Sequence, residues 1–170
     1  MNEAAGGVAA SIQALERDID PGSGLPEEIF LFVSRLTPLV NVDLLIRDGA
    51  GRTLLTWRSD RFHGPGWHVP GGIIRFKERA EDRIGAVAAI ELGTTVEFDA
   101  APIFVQQSIA ADRRDRGHLI SLLFCCRLRS ELDSQRHHVA GPPLAGQWAW
   151  HDGPPANLIG EQRTYAAFMR

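Results

Sequence analysis

The chain carries a turn, Val69-Pro70-Gly71-Gly72, followed along the sequence by a carboxylate, Glu91, that stands just before Gly93. Pro70 fixes φ and lacks an N–H donor, while the two glycines admit backbone angles and close approaches that a Cβ forbids. Such a turn exposes peptide groups, and an exposed carbonyl is a hard oxygen ligand that can reach a cation. From Ala80 onward Ile84, Val87, Ala88 and Glu91 recur at spacings of three and four, which predicts a helix, and Gly93 predicts its left-handed cap. That helix carries Glu91 to the glycine turn. A carboxylate beside a backbone carbonyl is the chemistry of a divalent-cation site.

The elements that must hold this pair are legible around it. Residues 1–24 read as an N-terminal tail with a short helix over Ser11–Arg17, broken at Asp20-Pro21-Gly22-Ser23-Gly24, and 25–170 as a single domain. Pro26-Glu27-Glu28 opens a second helix, with Ile29, Phe30, Phe32, Val33 and Leu36 as a buried stripe packed on the sheet. Leu39–Arg47 and Thr53–Arg58 read as a hairpin turned by Asp48-Gly49-Ala50-Gly51. Asp43 interrupts the first of these strands, which places it either on a wet edge or in a functional role. Pro102–Ile109 and His118–Arg129 predict two more strands, joined by the charged loop Asp112-Arg113-Arg114-Asp115-Arg116. Ser130–Gly146 lacks periodicity and is a loop, Trp148-Ala149-Trp150 is a short strand, and a last helix bearing Tyr165, Phe168 and Met169 packs on the body.

Composition narrows the function classes. In 170 residues, 44% hydrophobic, there is material for one core. A formal net charge of -3 supplies no basic field for nucleic acid, so none is expected as a partner. Cys125 and Cys126 are adjacent on a predicted strand and point to opposite faces, which argues against a disulfide or zinc framework and fits a reducing cytoplasm. No apolar run approaches a membrane span, so no membrane contact is expected.

The segment resembles the Nudix box, in which Gly, Glu, an Arg-Glu pair, a Glu-Glu pair and Gly recur at fixed spacing. Gly72, Glu78, Glu91 and Gly93 fall in register, while Ala86, Val87 and Ile90 stand where the box has Arg, Glu and Glu. The chain is most similar to the GDP-mannose mannosyl hydrolase branch, whose box is also reduced, through Leu36–Asp43, Arg58, Trp67, Val69-Pro70-Gly71-Gly72 and Glu91-Leu92-Gly93. The resemblance implies an α/β/α sandwich with a mixed sheet and one Mg2+ held by the Gly71 carbonyl and Glu91. Asp43, Arg58 and His118 would then contact the substrate, Arg58 neutralising the diphosphate, and Glu78 would support the turn before the helix. The Gln-His pair that supplies the branch's last metal ligand and general base aligns on Leu144-Ala145. Gln147 is the candidate for the missing ligand, and His137, His138 and His151 are the candidates for the base; as adjacent residues, His137 and His138 also read as a solvent-facing pair.

The reaction the resemblance implies is hydrolysis of a nucleoside-diphosphate sugar, GDP-mannose or GDP-glucose in type, to free sugar and nucleoside diphosphate by a homodimer. Two alternatives stand beside it. One is a domain that binds a nucleotide sugar without turning it over; the other is pyrophosphate hydrolysis with attack at phosphorus, which Val87 and Ile90 disfavour by removing helix carboxylates.

Overall fold

The computed structural model describes residues 3–169, so the first two positions of the expected tail and the last of the expected domain lie outside the described residues. Strand β1 (Leu39–Ile46) is the spine. Leu44 and Leu45 are both buried although they face opposite ways, so β1 must be covered on both faces. It is also paired on both edges. β4 (Gly71–Ile73) runs antiparallel to it, and β7 (His118–Leu128) runs parallel with Leu39 opposite Leu119 and Ile46 opposite Cys126. β5 (Val96–Phe98) and β6 (Phe104–Ile109) complete this five-stranded sheet against β7. A second sheet orders β3 (Gly66–His68), β2 (Thr53–Arg58) and β8 (Trp148–His151).

The hairpin expected between β1 and β2 is therefore not made. An isolated bridge, Arg47 opposite Thr53, joins them, and the strands then part into different sheets. The Asp48 turn forms as expected, its carboxylate accepting from the N–H groups of Ala50 and Arg52. Burial of both β1 faces decides the rest, because the strand's two edges are taken by β4 and β7.

One core cluster lies beneath the box helix, α3 (Ala80–Val87), and joins Val42, Leu44, Leu54, Ile84, Val87, Leu92 and Phe124. Another lies on the opposite side and joins Leu45, Leu55, Trp67, Val69, Leu123 and Tyr165, covered by the 3-10 segment Gly160–Phe168. The result is the expected α/β/α sandwich. α3 runs on into a π-helical turn, Ala88–Leu92, and ends at Gly93 with φ 64°, the left-handed cap its sequence predicts.

The two N-terminal helices differ from expectation. α1 spans Glu3–Asp18, well beyond Ser11–Arg17, because the alanines ahead of Ser11 continue the helix. α2 (Glu27–Val33) is short and buries no residue fully; Phe32 and Leu36 are exposed. It packs on loops instead of on the sheet: Ser34 Oγ accepts from the Arg116 N–H, Arg35 pairs with Asp115, and Phe30 lies against the Arg116 guanidinium.

Glu78 has the supporting role expected of it. Its carboxylate accepts from the Arg75 N–H at 2.8 Å and from Arg83 Nε at 2.9 Å, closing the turn into α3. These donors hold its pKa below the usual carboxylate range against the opposing effect of burial. Arg83 is buried, so it needs this partner. Glu78→Ala is expected to destabilise the fold by about 2 kcal/mol or more, since it strands a buried guanidinium. Urea denaturation checks this; an unchanged midpoint would contradict the supporting role.

Candidate functional site

A cavity of about 490 Å3 opens where β1, β2, β4, the π turn and the C-terminal segment meet. Gly71 is on its wall. The neighbouring Leu44 N–H donates to the Pro70 carbonyl at 2.8 Å, so Leu44 and Pro70 are a bonded pair and Asp43 and Gly71 a non-bonded one. Gly71 thus turns its N–H and C=O away from β1. The N–H meets Glu91 Oε1 at 3.3 Å. The helix carboxylate and the outward edge of the glycine turn are together, as the sequence predicts. A side chain at Gly71 would overlap Asp43 Oδ1, and one at Gly72 would come 2.7 Å from Val87 Cγ2, so both glycines are required by close approach.

Glu91 continues into a chain of hydrogen bonds. Thr56 Oγ1 lies 3.2 Å from Glu91 Oε2 and 2.9 Å from His68 Nε2. His68 Nδ1 is 2.9 Å from the Val69 carbonyl, which can only accept, so Nδ1 carries a proton and Nε2 of the neutral ring accepts. The Thr56 hydroxyl has one proton for two acceptors. A proton on Glu91 satisfies all three groups at once. Burial pushes the Glu91 pKa up to about 7, with the Gly71 N–H and the Thr56 hydroxyl offsetting only part of the rise. Burial, with the nearby charge of Arg58 next, lowers His68 to about 4 and keeps its ring neutral.

Asp43 occupies the other side of Gly71. It is 3% exposed and accepts from Asn41 Nδ2 at 3.0 Å and from the Tyr165 hydroxyl at 2.6 Å, while Ser121 Oγ holds Asn41 at 2.8 Å. This is a central strand, so the wet-edge account of Asp43 does not hold. Burial raises its pKa to about 6 against the lowering effect of those donors. The C-terminal segment, expected only to pack, supplies more than Tyr165. Gln162 Oε1 accepts from the Val69 N–H at 2.6 Å, and Gln162 Nε2 donates to the Val69 carbonyl, pinning the residue that precedes Pro70-Gly71.

The remaining candidates divide cleanly. Arg58 lines the cavity, its Nε bonded to Asp60. His118 does not; its neighbours Leu119 and Ser121 do, and strand alternation turns His118 aside to Gln107. The Gln147 side chain accepts from the Leu144 N–H and closes a local turn instead of lining the cavity. His137 stacks on Trp148 at 4.3 Å, and His138 and His151 lie against Trp67, so none of the three histidines is among the cavity's lining residues. His63 and His68 are there instead, with Arg116, Arg136, Gln162 and Tyr165. Alternation opposite Trp67 could have flagged His68; His63 and the last two residues have no spacing signal.

Among the described residues no three His, Cys, Asp or Glu side chains converge on one point. Gly71 and Glu91 still offer hard oxygen donors, and Mg2+ is commonly held by one or two carboxylates, water and substrate phosphate. A site of one carboxylate and one carbonyl fits that pattern.

Fold comparison agrees with this architecture. A MutT Nudix hydrolase from Burkholderia pseudomallei superposes with a TM-score of 0.61 at 22% identity over 79% of this chain and 99% of that one. A possible asymmetric diadenosine tetraphosphate hydrolase from Jonesia denitrificans gives 0.61 at 20% identity over 78% and 92%. The chain has the Nudix fold. An ADP-ribose pyrophosphatase from Streptococcus suis shares it at a TM-score of 0.51 and 16% identity, over 77% of this chain and 86% of that one. In sequence, a low-salt glycan biosynthesis protein from Haloferax volcanii is 34% identical over 80 residues, 47% of this chain. The match spans 51% of that protein, about half its length. No protein-family model matches the chain.

The buried Asp43 carboxyl makes the fold sensitive to pH. Its folded pKa, about 6, lies above the ordinary 3.8, so the native state binds the extra proton between those values. Its contribution to stability is fully present below pH 3.8 and is lost as pH rises through 6. The difference corresponds to about 3 kcal/mol. Asp43→Asn is expected to lose less stability than the parent between about pH 4 and pH 7 in parallel denaturant titrations; identical pH profiles would contradict a proton held at Asp43.

Proposed function

We propose that this protein is a hydrolase of a nucleotide-linked diphosphate that uses one Mg2+ held by the Gly71 carbonyl and Glu91. The observation that carries the reading is the contact of Glu91 with the outward edge of Gly71, in a cavity that also contains Arg58. The substrate class is a nucleoside-diphosphate sugar of GDP-mannose or GDP-glucose type, cleaved to sugar and nucleoside diphosphate. Two features support it. Ile90, which lines the cavity, and Val87, which is buried in the core, stand where a multi-metal site would need carboxylates, and the partial relative from Haloferax volcanii is named for glycan biosynthesis. When bound, the ion would neutralise charge on the departing diphosphate. Arg58 does the same from the protein side, and the Gly71 N–H and Thr56 hydroxyl orient the Glu91 carboxylate.

A second reading, attack at phosphorus, is favoured by the names of the structural neighbours, which include a pyrophosphatase. The rest of the reading is a domain over 25–170 with 1–24 attached to it, working in the cytoplasm with both cysteines reduced. Homodimer formation is supported by Val8, Ile12 and Leu15, exposed apolar residues on one face of α1. Among the described residues no helix is long and apolar enough to cross a membrane.

Incubation with GDP-mannose and Mg2+ in labelled water tests the reading. Label in the free sugar is the expected result; label in phosphate establishes the second reading, and binding without turnover rejects both. Glu91→Gln is expected to lower Mg2+-dependent turnover by about a hundredfold or more with the fold intact by circular dichroism. Unchanged dependence on Mg2+ would overturn the metal assignment.

A further inference from the structure

Arg116 is held in an unusual way. Its φ is 55°, in the left-handed region that β-carbon residues seldom occupy, and strain of this kind persists only where the surroundings impose it. The surroundings are specific. Its N–H donates to Ser34 Oγ at 3.1 Å, and its guanidinium lies 4.9 Å from the Phe62 ring and 5.7 Å from the Phe30 ring. Aromatic faces on a guanidinium fix its plane without consuming its N–H donors.

Those donors are not consumed elsewhere. Nε is buried with no hydrogen-bond partner, and among the described residues Arg116 forms no ion pair. The carboxylates around it are already engaged: Asp60 with Arg58, Glu161 with Arg113 and His63, Asp115 with Arg35. Asp43 and Glu91, which line the same cavity, are held in the networks described above. Arg116 lines this cavity together with Arg58. A planar, pre-oriented cation that faces a cavity beside a second arginine matches an anion with several oxygens on adjacent centres.

We propose that Arg116 and Arg58 form a diphosphate-binding subsite in which the Arg116 guanidinium, packed over the rings of Phe30 and Phe62, donates to the phosphate oxygens. This names the phosphate-binding residues of the site and so rests on the nucleotide reading above. It also gives α2 a role. Phe30 and Ser34 set the position of Arg116, which makes this helix the support of the subsite.

The test is titration of inorganic pyrophosphate, followed by the fluorescence of Trp57, which lines the cavity. Arg116→Gln and Arg116→Gly are each expected to weaken binding by about tenfold to a hundredfold, the range of a charge-assisted hydrogen-bond pair. Arg116→Gly should do so without lowering the melting temperature, because glycine adopts the left-handed backbone freely. Arg114→Gln, at an exposed position in the same loop, should bind as the parent does. Unchanged pyrophosphate affinity in both Arg116 variants would overturn the subsite, as would a parent chain that binds no pyrophosphate. If the Arg116 variants lose pyrophosphate while the parent fails to hydrolyse GDP-mannose, the subsite stands and the sugar-nucleotide reading falls. If GDP-mannose is hydrolysed equally well with and without Arg116, and pyrophosphate binds equally, the reading stands and the subsite falls.

Discussion

Everything at the site depends on the closeness with which two glycines fit between a strand and a helix. Gly71 lies against Asp43 Oδ1 and the Val42 carbonyl, and Gly72 against Val87 and the aliphatic part of Arg83. No other residue type leaves room for both contacts. Because β4 is so thin, α3 and its π turn settle directly over the edge of the sheet, and Glu91 reaches a peptide group that β1 leaves unpaired. Widening this joint by one methyl would separate the carboxylate from the turn.

The joint also sets the electrostatics. It places two buried carboxyls on opposite sides of one glycine, and each is pushed toward its neutral form by burial. Their networks differ. Asp43 accepts from Asn41, itself held by Ser121, and from Tyr165, whereas Glu91 shares one hydroxyl with a neutral histidine, and both carboxyls line the cavity. The first network braces the floor of the site; the second lies on the cavity wall. Positive charge enters from different segments, Arg58 from the end of β2, Arg116 from the loop ahead of β7 and Arg136 from the loop ahead of β8, where it caps the carbonyls of Ile90 and Glu91.

Long-range contacts assign the loops their roles. The loop at 110–117 reads as a solvated, mixed-charge tip, yet of its charged residues only Asp112 and Arg114 are exposed, while Arg113 pairs with Glu161 and Asp115 with Arg35. Arg116 differs because its guanidinium lies over the rings of Phe30 and Phe62, both remote from it in sequence. The C-terminal segment is similar: nothing in the spacing of Gln162 and Tyr165 marks them, yet each bonds to a residue beside the glycine turn. Conversely, the histidines that sequence proximity nominates are drawn away from the cavity by stacking on Trp67 and Trp148, aromatic surface that they help to cover.

What the sequence determined by itself is whatever depends on neighbours along the chain: the glycine turn, the helix and left-handed cap that bring Glu91 to it, the Glu78 brace, the Asp48 turn, and the order of strands and helices that makes an α/β/α sandwich. Helical periodicity, capping and turn chemistry act over a few residues and leave a local signature. The tertiary structure alone decided that β1 would reject β2 for β4 and β7, that α2 would support a loop instead of covering the sheet, and that Tyr165 would hold Asp43 across 122 positions of sequence. Those outcomes follow from which apolar faces and buried polar atoms must be satisfied together. That balance is struck between remote segments, and no window of sequence contains it.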